Sequence, residues 1–175
     1  MDVHGGARTC EEAAKGGHFD ILKWAGANGC PWDEDTCAGA AQIGDLEMLQ
    51  WLRENGCPWS RDTCEAAALN GHLEILKWAR GKGCPWSAYT CSAAAGNGDL
   101  RMLQWLHENG CPWDADTCTY AAQNDHLEVL KWARENGCPW HEETYCNAEM
   151  NNQSEVMQWL RDNGCPGSHN DDEGH

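Results

Sequence analysis

Apolar and polar positions along this chain recur with a fixed period of 27 residues. The copy from Cys57 to Gly83, CPWSRDTCEAAALNGHLEILKWARGKG, returns at 30–56, 84–110, 111–137 and 138–164, and 3–29 is a copy lacking Cys-Pro-Trp. Within a copy, Cys37, Ala40 and Ala41 fall at i, i+3 and i+4, a narrow helical stripe of small side chains that lets neighbours approach closely. Asp33 is placed to cap that helix, with Trp32 stapled over Cys37, and Ser60, Ser87 and Asp114 repeat the cap. Gly44, Gly71 and Gly98 supply the turn. The second helix, Leu46 to Arg53, has a wider apolar arc, as in a helix pressed between two neighbours, so Trp24, Trp51, Trp78, Trp105, Trp132 and Trp159 are expected in the core. Asn55-Gly56-Cys57-Pro58 ends it, with Gly at the left-handed C′ position and Cys at C″, where an apolar contact back to the helix is common.

Helices of about ten residues are too short to stand alone in water, so each copy must bury its apolar faces on adjoining copies. A slower rhythm overlies the first. His18, His72 and His126 alternate with Asp45 and Asp99 at one position, and Lys-Trp-Ala alternates with Gln-Trp-Leu in the second helix, so the copying unit is two repeats. Leu52 and Ala79 alternate large with small, which suggests interfaces that interdigitate in pairs. The last copy departs from the pattern: Tyr145 takes the Cys place, Cys146 is displaced by one, and Glu149 replaces a core Ala, as in a capping repeat with one wetted face. One domain over 3–165 is expected, followed by an acidic disordered tail at 166–175.

The string Thr-Cys-x-x-Ala-Ala-x-x-Gly-His-Leu-Glu-x-Leu-Lys-Trp-Ala-Arg-x-x-Gly-Cys, read from Thr63 to Cys84, resembles the ankyrin repeat, with Cys64 in the place of the leucine of its Thr-Pro-Leu-His motif. Gly71-His72-Leu73-Glu74 matches the start of that family's second helix. The unit is shorter than the 33 residues usual for ankyrin, and the missing residues fall where that family builds its projecting β-hairpin. The Cys-Pro-Trp form also resembles expanded ankyrin-like arrays of large DNA viruses and protists. The resemblance implies an all-α, right-handed solenoid of about six stacked helix-turn-helix repeats without β-hairpins.

Composition narrows the partners. Twelve Lys+Arg against 28 Asp+Glu give a formal charge of -16, which argues against nucleic acid and anionic membrane, both of which are held by basic side chains. The first residues show no apolar core of a signal peptide, and no apolar run approaches membrane-spanning length, so a cytoplasmic monomer is expected. Many carboxylates, Glu34, Asp35, Asp62 and Asp116 among them, lie in first helical turns, where the helix dipole favours them. A surplus remains, which suits a partner with a basic surface.

The 12 cysteines are the most suggestive chemistry. Cys30, Cys37, Cys57, Cys64, Cys84, Cys91, Cys111 and Cys118 could serve as metal ligands or redox pairs, or as small core thiols and C″ contacts. Their spacing is not Cys-x-x-Cys, and no His recurs in every unit, so neither a metal nor another cofactor is implied. If disulfides form within the loops, the pairs are Cys30–Cys37, Cys57–Cys64, Cys84–Cys91, Cys111–Cys118 and Cys138–Cys146, leaving Cys10 and Cys165. The His-Asp alternation invites a proton-relay reading, but stacked helices stand about 8–10 Å apart, too far for neighbouring rungs to bond directly. Trp32, Trp59, Trp86, Trp113 and Trp140 could form an exposed aromatic row, although their place before the cap favours packing.

Variation between copies points to recognition. Core positions scarcely change, whereas 34, 35, 38, 39 and 42 and their equivalents do, and 34, 38 and 42 share one face of the first helix. In the ankyrin resemblance that face is the recognition side. The candidate partner-binding residues are Arg61, Glu65, Leu69, Tyr89, Ser92, Thr119, Tyr120 and Gln123, with the two tyrosines as anchors. No nucleophile, base and orienting acid stand together outside the repeat pattern, so the expected function is a non-enzymatic scaffold that binds another protein. The alternative is a metal-binding or disulfide-forming protein that works through its cysteine rows.

Overall fold

The structure, a computed structural model, describes residues 3–168, with side chains from residue 8 onward. Among the described residues regular structure consists of twelve α-helices and no strand. They are α1 (Val3–Lys15), α2 (Phe19–Ala27), α3 (Glu34–Gln42), α4 (Leu46–Glu54), α5 (Arg61–Leu69), α6 (Leu73–Gly81), α7 (Ala88–Gly96), α8 (Leu100–Glu108), α9 (Ala115–Gln123), α10 (Leu127–Glu135), α11 (Glu142–Met150) and α12 (Ser154–Asp162). The chain divides into two compact units, Met1–Trp86 and Ser87–His175. None of the described helices is long and apolar enough to cross a membrane.

Each copy contributes one helix pair. In the first unit α1 packs on α3 and α3 on α5, and in the second α7 packs on α9 and α9 on α11. The small stripe makes this closeness affordable: Cys37, Ala40, Ala41, Cys64, Ala67, Ala68, Cys118, Ala121 and Ala122 are all fully buried. Larger side chains of the second helices fill the rest of the core, with Leu49, Leu52, Leu76, Leu130 and Leu160 fully buried.

The expected caps form. Asp33 accepts the Thr36 N–H at 3.2 Å and Ser60 accepts that of Asp62 at 3.1 Å. At the C-terminal end of α4, Cys57 N–H bonds to Leu52 C=O and Gly56 N–H to Arg53 C=O, the paired pattern that a left-handed glycine permits. The turn between helices takes positive φ at Gly44, as expected, and in the last two copies Asp125 and Asn152 adopt it instead. These are residue types whose short polar side chains tolerate that conformation.

The alternation of His and Asp has a structural cause. Asp45 and Asp99 cap their own helices by accepting from Met48 and Met102 N–H, at 2.8 and 2.9 Å. His72 makes no such bond. Its Nε2 lies 3.1 Å from Gln42 C=O, at the end of the preceding first helix, and because a carbonyl only accepts, Nε2 carries the proton. His126 does the same to Gly96 C=O, also at 3.1 Å, and Gln153 donates to Gln123 C=O at 3.2 Å. His72, His126 and Gln153 thus each reach back to the backbone of the preceding copy, the last two from consecutive copies.

In the last copy Tyr145 is buried where the others have cysteine, and Glu149 is exposed. Of the segment expected to be a disordered tail, Pro166–Ser168 forms a turn in which buried Ser168 donates its N–H and hydroxyl to Cys165 C=O. The remainder, 169–175, lies outside the described residues.

Candidate functional site

First helices position the candidate residues, and the helical repeat decides which of them reach solvent. In the second unit Tyr89, in the first turn of α7, is 40% exposed and meets Tyr120 of α9 edge to face, with ring centroids 6.3 Å apart. Gly96 packs beside this pair, where a Cβ would sit 3.4 Å from Tyr120 Cβ, an ordinary contact. Gln123 is half-buried, one turn beyond Tyr120, and its carbonyl is the one that Gln153 binds.

Ser92 and Thr119 are not on that surface. Ser92 is buried, with its hydroxyl 3.3 Å from Ala88 C=O and 3.5 Å from the Thr117 hydroxyl. Thr119 is buried likewise, donating to Ala115 C=O at 3.0 Å and lying 3.0 Å from the Thr144 hydroxyl. In the second unit the position equivalent to 38 therefore turns from solvent into the neighbouring first helix, and its polar residues Ser92 and Thr119 join one copy to the next, while Glu34 and Arg61 at the start of the row stay exposed. The face left to solvent runs instead through 35 and 42 and their equivalents, where Asp35, Gln42, Asp62, Leu69, Tyr89 and Asp116 are exposed.

In the first unit Arg61 and Glu65 form an ion pair at 3.9 Å along α5, with the Arg61 side chain largely exposed, and Leu69 is 44% exposed one turn on. Such a surface pair contributes little to stability. Carboxylates crowd the same face of α3: partial burial, then Glu11 and Asp33, hold the Asp35 carboxyl above its ordinary value. A cation brought to this edge would relieve that repulsion.

Cysteines pair differently from the loop scheme read from their spacing. Among the described residues none is in a disulfide. Cys10 Sγ lies 3.1 Å from Cys30 Sγ, and the equivalent thiols are neighbours that perturb one another's acidity in Cys37–Cys57, Cys64–Cys84, Cys91–Cys111 and Cys118–Cys138. Each pair links a first-helix cysteine to the C″ cysteine that opens the next copy. The C″ thiol then donates to the capping residue's carbonyl: Cys57 to Asp33 at 3.4 Å, Cys84 to Ser60 at 3.2 Å and Cys138 to Asp114 at 3.3 Å. These thiols act as a relay that fastens the first residue of one copy to the start of the copy before it. Within one pair the acidities diverge. The bond to Cys138, with burial, pushes the Cys118 thiol up, whereas the same bond seen from Cys138, helped by the Thr117 hydroxyl and Arg134, pulls that thiol down. As for metals, the described residues contain no group of three or more His, Cys, Asp or Glu able to hold an ion.

Of the second-helix tryptophans expected in the core, Trp51, Trp78, Trp105, Trp132 and Trp159 are half-buried and Trp24 is exposed. Trp51 meets Trp32 edge to face at 5.6 Å, Trp78 meets Trp59 at 5.8 Å, and Trp132 and Trp159 meet Trp113 and Trp140, each at 5.9 Å. A guanidinium covers several of the Cys-Pro-Trp rings from the preceding copy: Arg53 over Trp59 at 4.1 Å, Arg80 over Trp86 at 4.2 Å and Arg134 over Trp140 at 4.0 Å. Arg53 and Arg134 also donate to Cys57 and Cys138 carbonyls, so each ties a helix end to an indole face. Where the Arg is replaced, His107 stacks on Trp113 at 4.1 Å. Trp24 shows what the pairing does: its copy has Gly5 in place of the partner Trp, and it is 69% exposed. Between these stacks lies a recess of about 450 Å³ lined by Gln50, Arg53, Glu54, Trp59, Trp78 and Lys82. Its counterpart three copies on is lined by Lys131, Arg134, Glu135, Trp140, Trp159 and Asn163. Reading the second-helix tryptophans as core hid these recesses from the sequence. No protein-family model matches the chain and no curated protein matches it, so its function has to be argued from its own residues.

Proposed function

We propose that the chain is a non-enzymatic protein-binding scaffold, a right-handed solenoid of shortened ankyrin-type repeats that takes its partner on the exposed face of the first helices. The observation that carries this reading is the Tyr89–Tyr120 pair. Two tyrosines stand edge to face on a surface whose neighbouring core positions are all but invariant from copy to copy. Tyrosine offers a large rigid contact with a polar tip, which is why it recurs as an anchor at interfaces.

Charge gives the partner its chemistry. Asp116, with 60% of its side chain exposed, lies one turn before Tyr120, and the whole chain carries a formal charge of -16. A segment with Lys or Arg beside an apolar residue would place the apolar group on the tyrosine pair and the cation at the carboxylates. In quantitative pulldowns with the whole chain as bait, Tyr89→Ala with Tyr120→Ala should lower capture of the partner at least about tenfold, the loss of an anchor pair. Met150→Ala, at a residue 71% exposed elsewhere, should leave it unchanged. Undiminished capture by the double variant, with helical circular dichroism intact, discards this surface.

A further inference from the structure

We infer that Cys10 and Cys30 form a dithiol site that closes reversibly to a disulfide by exchange with small aliphatic disulfides. Cys10 Sγ already lies 3.1 Å from Cys30 Sγ, so closure to a bond of about 2.05 Å requires a shift of roughly 1 Å. Accessibility separates this pair from its four counterparts. In Cys37–Cys57, Cys64–Cys84, Cys91–Cys111 and Cys118–Cys138 both thiols are buried, at 5% exposure or less. In the first pair Cys10 is buried, but Cys30 is only half-buried and so reaches solvent in part.

Burial and the bond to Cys30 hold the Cys10 thiol up, at about 12, so Cys10 stays the protonated donor and reaction begins at Cys30.

The exchange balances in two steps. The Cys30 thiolate attacks one sulfur of RS–SR, forming Cys30–S–SR and releasing RS⁻. Cys10 then gives up its proton and attacks the Cys30 sulfur, closing the Cys10–Cys30 bond and expelling the second RS⁻. The two thiol protons end on the two released thiolates. The protein has lost two electrons and RS–SR has gained them.

The test uses the whole folded chain with oxidised glutathione, quenched over time by acid and mapped as non-reduced peptides by mass spectrometry. A Cys10–Cys30 linked peptide pair should appear at least about tenfold faster than any linkage among the four buried pairs. Cys10→Ser should accumulate the mixed disulfide on Cys30, because its second step has no attacking thiol. Cys30–Cys37 linkage, equal rates across all five pairs, or glutathione retained on Cys30 of the unaltered chain would each overturn the proposal. The unaltered chain decides the matter alone should the variant fail to fold.

Discussion

Leu130→Ala should lower the free energy of unfolding by about 3 kcal/mol, within the range of roughly 2–5 kcal/mol found for fully buried leucines. Leu130 is fully buried in α10, a helix within the second unit that packs on α9 of its own copy. Truncation removes its transfer free energy and leaves a void that short helices, held mainly by packing, cannot easily close. The whole chain is expected to have about 9–26 kcal/mol at its disposal on per-residue averages, and one unit only part of that, so the loss is a large fraction. Urea titration followed by circular dichroism and tryptophan fluorescence measures it, and Ile21→Ala, at a residue 48% exposed, serves as the surface comparison. A change below about 1 kcal/mol for Leu130→Ala would mean that the second helix is not packed as described.

Gly44→Ala should destabilise more than Gly71→Ala, by about 1 kcal/mol, although both glycines have positive φ, +80 and +76. The backbone conformation alone costs either alanine about 1–2 kcal/mol. The difference lies in what surrounds them. A Cβ on Gly44 would stand 2.7 Å from His72 Cε1, whereas one on Gly71 would meet nothing within 4 Å. His72 would have to turn away and give up its bond to Gln42 C=O, leaving that carbonyl at the helix end without this donor. Thermal or urea unfolding of the two variants gives the gap. Placing each in a His72→Ala background should close it, and a gap that persists would locate the cost elsewhere.

How much of this was legible beforehand follows from distance along the chain. Asp33, Ser60 and the Cys37-Ala40-Ala41 stripe are local signals, a cap and an i, i+3, i+4 pattern, and they sit where that logic puts them. The tryptophans were misplaced because a wide apolar arc records only that a face is covered, not whether the cover is core or a surface stack with an arginine. For the candidate site, the i, i+4 rule joined 34, 38 and 42 correctly as a row. Whether the row faces solvent depends on how the next first helix leans, which is how Ser92 and Thr119 came to be buried while Tyr89 was not. The reach of His72 across 30 residues lies beyond any local pattern.

The thiol relay also bears on how the protein must be made. Cys57 lies seven residues from Cys64, while Cys64 is twenty from the Cys84 it meets in the fold. In an unfolded chain, closure of the shorter loop is favoured about fivefold by chain entropy. Synthesis or refolding under oxidising conditions would therefore lock mismatched short crosslinks before the helices assemble. A reductant present throughout should restore the yield of native protein on non-reducing electrophoresis.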